Sequence, residues 1–131
     1  MSLTRIVGWV LCALVAVFLI AVSVPPKLTA DGPYEMAEHI GFPWQVMRNI
    51  GVVELVIAVL LVLPRTGLWG ALLLTAYFGG ATASHVRIGD QFFVPIVMAT
   101  VMWIGVLLRL PGLAPLLAGH PRDPRLEAKK D

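Results

Sequence analysis

Tyr77-Phe78-Gly79-Gly80-Ala81-Thr82-Ala83-Ser84-His85-Val86-Arg87-Ile88-Gly89-Asp90 begins inside an apolar run and ends in a cluster of His, Arg and Asp. Small residues recur along it at helical spacing, with Ala76, Gly80 and Ser84 on one face and Gly79 and Ala83 on the next. In lipid such rows let two helix backbones approach closely, because surrounding acyl chains give helices no hydrophobic reason to associate. The stretch therefore reads as the end of a transmembrane helix that emerges onto a polar site.

Composition agrees. Of 131 residues 58% are hydrophobic and only 14% charged, where a soluble domain carries about a quarter charged. The expected class is an all-α integral membrane protein with one domain. A formal charge of +2 is too slight to point to nucleic acid. The single cysteine, Cys12, excludes an intrachain disulfide and a CxxC redox or zinc pair.

Outward from that stretch, four apolar spans are expected, over about 6–24, 46–63, 68–85 and 92–110. The first is longer than the ~7–15-residue core of a signal peptide, so it reads as a span. Pro25-Pro26 are expected to end it. Residues 25–45 then form a surface connection with a short helix, opened by Pro33, with Ala37 and Ile40 on its apolar side and Gly41 as its stop. Pro64-Arg65-Thr66-Gly67 reads as a tight turn. Residues 111–131 form a proline-rich, charged tail, expected to be disordered beyond His120.

Four spans put both termini on one side with Arg5, Arg65, Arg109, Arg122, Arg125, Lys129 and Lys130. The other side holds Lys27, Arg48 and Arg87 with four acids. The positive-inside rule makes the first side cytoplasmic.

Glu54 is the most informative single residue. A carboxylate near the middle of a bilayer costs ~2.5–3.5 kcal/mol on insertion scales, so it must face the bundle, be paired or be protonated. It lies ~12 Å down its span, a depth that Tyr77 and Thr100 share on the third and fourth spans. These three are expected to form one polar layer. His85, Arg87 and Asp90 form a second cluster. One reading makes His85 a proton carrier, Arg87 a ligand for an anion or carbonyl, and Asp90 their orienting group. The other makes the cluster an interfacial turn, with Arg87 and Asp90 paired and Asp90 capping the fourth helix. Lys27 and Arg48 either snorkel to the headgroups or form a basic rim above Glu54. No spacing of His, Cys and acids supports a metal site.

The chain resembles the DoxX-like family of small four-helix membrane proteins. Three matches carry the resemblance: Pro26-Lys27-Leu28 after the first span, Gly51-Val52-Val53-Glu54-Leu55 running to Leu63-Pro64-Arg65, and Tyr77 to Asp90. They cover about residues 15–110. The resemblance implies a four-helix bundle in the bacterial inner membrane. It also implies association with membrane oxidoreductase systems, such as a thiosulfate:quinone oxidoreductase subunit. More distantly, the fold is similar to the membrane domain of vitamin K-dependent carboxylases.

Three functions are then open. In the first, a quinone or another lipophile enters between the helices, with Glu54 and His85 moving protons and Tyr77, Thr100, Lys27, Arg48, Arg87 and Asp90 holding its head group. With no covalent cofactor implied, electrons must come from a partner or from the bound molecule. In the second, the chain is a non-catalytic scaffold or small-solute transporter, and the small-residue faces are its partner or homodimer surface. In the third, Glu54 and His85 are the acid/base pair of an isomerase-like enzyme acting on a hydrophobic substrate.

Overall fold

The structure is a computed structural model that describes residues 1–29 and 35–119. The expected opening of the short helix at residues 31–34 and the tail from His120 onward lie outside the described residues. Among the described residues the chain is wholly helical. Helix α1 (Leu3–Phe18) passes through a π-helical turn (Leu19–Ser23) into α2 (Val24–Thr29). Then come α3 (Glu35–Ile40), α4 (Trp44–Val62), α5 (Gly67–Arg87), α6 (Phe93–Arg109) and the short α7 (Leu113–Leu117). The α1–α2 rod, α4, α5 and α6 pack antiparallel to their neighbours around a core of Cys12, Leu19, Ala58, Leu61, Leu74, Met102 and Val106.

Pro25 and Pro26 do not end the first helix. A proline ring collides with the carbonyl four residues earlier and supplies no N–H. The π-turn widens the helix just where those carbonyls lie, and the Val24 N–H bonds to Leu19 O, five residues back. The prolines then fall in the first turn of α2, where a missing donor is tolerated. The inward-facing positions follow the same step: Cys12, Val15, Ala16 and Leu19 are buried, and the next two are Val24 and Lys27. The extra residue therefore turns Lys27 into the bundle.

Glycines set how closely the helices cross. At Gly8 a Cβ would lie 2.7 Å from Gly105 O and from Arg109 N, and at Gly105 it would lie 2.9 Å from Cys12 Sγ. A Cβ at Gly70 would collide with the backbone of Leu61. By contrast, Gly79 and Gly80, in the small-residue row that was expected to pack helices, face open space. That row is not a helix–helix contact within this chain.

Arg109, expected among the charges of the terminal flank, is 8% exposed. Its Nη1 donates to Leu61 O at 2.8 Å, and its guanidinium lies 3.6 Å above the Trp9 ring. It satisfies a carbonyl left over at the end of α4 and ties α6 to α4 and α1.

The exterior is apolar. Val10, Leu14 and Val17 of α1, Val52, Val53 and Val56 of α4, and Ile96, Val97 and Ile104 of α6 are all exposed, while Glu54 is 0% exposed. Water would penalise such a continuous surface, and acyl chains would not. Among the described residues two helices have the length and composition to cross a membrane: the continuous Leu3–Thr29 rod (27 residues, mean hydropathy 2.8) and Trp44–Val62 (19 residues, 1.9). Phe93–Arg109 is a shorter apolar helix. In α5 the glycines, Thr75, Thr82, Ser84 and His85 dilute the apolar character of its 21 residues.

Two substitutions test this packing. Gly105→Leu should cost about 1–3 kcal/mol or more by forcing α1 and α6 apart. Gly79→Ala, which meets nothing, should leave the midpoint of thermal unfolding in detergent unchanged or slightly raised.

Candidate functional site

The site is built where α2 crosses α4. A Cβ at Gly51 would stand 2.8 Å from the Cβ of Lys27, so the missing side chain is the notch that lets α2 settle onto α4. Three residues on, and on the same face, Glu54 points into the bundle. The Lys27 ammonium reaches it across that notch. Nζ lies 2.6 Å from Glu54 Oε2, 2.7 Å from Ser23 Oγ and 3.0 Å from the Tyr77 hydroxyl. An ammonium has three donors, and all three are used. Glu54 Oε1 is buried and has no hydrogen-bond partner among the described residues.

Lys27 thus does not snorkel. Its side chain is 11% exposed and Glu54's is 0%, so the pair is largely removed from solvent. Such a pair gains little net stability from attraction alone, because both charges lose hydration, but stripping away one partner leaves an uncompensated charge.

Of the expected polar layer, Tyr77 belongs and Thr100 does not. Thr100 is exposed on the outer side of α6, and its hydroxyl donates to Ile96 O of its own helix at 2.9 Å. Equal depth put it at the right height but on the wrong face. Arg48 is exposed on α4 and joins neither cluster.

The second cluster forms at the C-terminal end of α5. Gly89 has φ +72°. Its N–H bonds to Val86 O at 3.2 Å, and the Asp90 N–H bonds to His85 O at 3.0 Å. This double closure needs a left-handed residue and folds the following residue back over the helix. The fold-back brings Asp90 Oδ2 within 3.3 Å of His85 Nδ1. Asp90 does not cap the next helix, whose first flanking residue is Phe92 with no side-chain cap. Nor does it pair with Arg87. Arg87 donates to Ile40 O, and its guanidinium lies 5.8 Å from the Phe42 ring. It holds α3 against the end of α5. Gly41, with φ +80°, closes α3 by the same double hydrogen bond, which turns Phe42 back toward Ala37, Ile40 and Met47.

Members of both clusters line one cavity of about 660 Å³, though Glu54, behind Lys27, and Arg87 are not in its wall. Ser23, Lys27 and Tyr77 are at one pole and His85, Asp90 and Gln91 at the other. Phe18, Leu19, Ala81, Pro95 and Met98 line the space as well, and Ile40 and Phe42 bring α3 over it. Ala76, Gly80 and Ser84, the small-residue row, also face this cavity. Their smallness leaves it room. Ser23 was not among the expected site residues. The signal for it was its place four residues before Lys27, one helical turn on the same side.

The Gln91 N–H, and after it His85, hold the Asp90 carboxyl below the usual carboxylate range. A lowered value means that the ionised contact is present above the ordinary aspartate range and lost only as pH falls through the lower folded-state value. Carboxyl-carbon NMR of Asp90 should therefore show a midpoint below that of an aspartate in a model peptide.

An all-helical chain with an apolar exterior and charges turned inward is a small membrane protein by construction. The DoxX-like family's sequence model matches residues 10–108, and the chain belongs to that family. Over 123 residues it is also 31% identical to membrane progestin receptor delta of Mus musculus, which covers 92% of this chain and 34% of that protein. The chain thus spans about a third of the length of that relative. No solved structure matches the chain.

Removing either charge of the buried pair should be costly. Glu54→Leu or Lys27→Met alone should lower stability by about 3–5 kcal/mol, and the double variant should recover most of it. Unfolding midpoints of the four proteins in one detergent form the cycle that checks this.

Proposed function

We propose that this protein is a multi-pass subunit of the bacterial inner membrane that binds an oxygenated lipophile, with quinones the first class to test, alongside a membrane oxidoreductase. Both termini lie in the cytoplasm, by the distribution of basic residues. The observation that carries the reading is the 660 Å³ cavity with Lys27 and Tyr77 at one pole and Glu54 held behind Lys27. Pockets for small molecules combine apolar walls with a few placed polar groups. A carbonyl or hydroxyl head group would meet Ser23, whose hydroxyl accepts from Lys27 and keeps its own proton to donate. The pole that holds the head group exchanges protons with it: Glu54 through Lys27 at the one, His85 at the other. Reduction of a quinone to a quinol takes two electrons and two protons, and the electrons come from the partner. The mouse relative is named as a receptor for a progestin, and a lipophilic ligand here is in keeping with that name.

The test is binding of a short-tailed quinone to purified protein in detergent, read by tryptophan fluorescence. Wild type should bind, and Gly80→Leu, which fills open space without a clash, should lose about tenfold in affinity or more while unfolding at the same temperature. Glu54→Gln should weaken binding in the same sense. Equal, negligible binding by all three would remove the proposal. Under the scaffold reading, Gly80→Leu would instead break assembly and Glu54→Gln would be harmless.

A further inference from the structure

We infer that the cavity is built for a rigid lipophile carrying an oxygen function at each end, one taken by Ser23 beside Tyr77 and the other by His85. The inference rests on the proposed function and narrows its ligand class.

The argument is one of length. Helix α5 runs unbroken from Gly67 to Arg87. Tyr77 and His85 are eight residues apart on it, which is ~12 Å along the axis. Both side chains tilt toward the helix N-terminus, so the tilt leaves that separation in place. Both line the same cavity. Between the two poles the α5 wall is Phe78 beside Tyr77, then Gly80, Ala81 and Ser84, and the Ser84 hydroxyl is turned back to Gly80 O at 3.0 Å. Beyond Phe78 the interval therefore presents little polarity and little bulk. A flat, stiff body lies well against such a wall.

The two poles are also chemically unlike. At the deep pole all three ammonium protons of Lys27 are engaged, so the ligand oxygen meets the Ser23 hydroxyl rather than the charge itself. At the other pole one nitrogen of His85 contacts Asp90 at 3.3 Å, which leaves the second ring nitrogen for the ligand. A ligand with oxygen at one end only leaves a polar group facing its hydrocarbon, and an unmatched buried polar group weakens binding. A single-ring quinone carries both oxygens on one ring and reaches one pole. A fused polycycle oxygenated at both ends reaches both.

The experiment uses the full chain in lipid nanodiscs and a matched pair of probes: a fused-ring steroid with a ketone on each terminal ring, and the same skeleton with the ketone farther from the deep pole replaced by hydrogens. A short-tailed quinone is the third probe. Wild type should prefer the diketone to the monoketone by about tenfold or more. His85→Leu should erase that preference by weakening the diketone alone, and Ser23→Ala should weaken both steroids. Equal affinity for the two steroids in wild type, or an equal loss of both in His85→Leu, would overturn the inference. If the quinone binds in that case, the proposed function stands without it. If none of the three binds, the proposed function falls as well.

Discussion

An ionised acid in a low-dielectric interior must be answered by a cation, and much of this chain follows from how Glu54 is answered. Lys27 sits at the far end of another helix and has to be brought close, aimed inward and held there. The notch at Gly51 brings α2 close. Ser23 and Tyr77 take the ammonium protons that Glu54 does not, so no donor is wasted. With the pair neutralised internally, the exterior of the rod can be wholly apolar, as Val10, Leu14 and Val17 show.

The helices, the inward carboxylate with Tyr77 near it, and the meeting of His85 with Asp90 were legible in the sequence because each leaves a local signature: apolar length, an acid where acids are costly, and a glycine after His-x-Arg. What was not legible depends on phase. Thr100 shares the depth of Glu54 but faces the other way, and counting residues from a span end gives height without azimuth. Lys27 looked like a snorkelling residue because Pro25-Pro26 looked like a terminus. Arg109 looked like a flanking charge because its partner is a backbone carbonyl, Leu61 O, and carbonyls have no letter in a sequence. One hint was available. Gly51-x-x-Glu54 places a gap and an acid on the same face, which is what a long cation arriving from a neighbouring helix needs.

The glycines fall into two groups that look alike in the sequence. Gly8, Gly105 and Gly70 allow backbones to touch, and a side chain at any of them strikes a neighbour. Gly79 and Gly80 touch nothing, and Gly80 borders the cavity. A small residue in a membrane helix can thus serve contact or emptiness, and only the position of the opposing helix decides which. Here α6 crosses α1 tightly near Gly8 and Gly105, and the pocket lies toward the opposite ends of the same two helices, around Phe18 and Pro95.

The π-turn between Leu19 and Ser23 makes the orientation of the cation a matter of residue count. The same residues wound as an ordinary α-helix would swing everything after the turn by roughly a hundred degrees. Lys27 would then be swung off its line to Glu54, with no amino acid exchanged anywhere. The polarity of the pocket is in this sense written as a frameshift in space, carried by one wide turn rather than by the residues it aims.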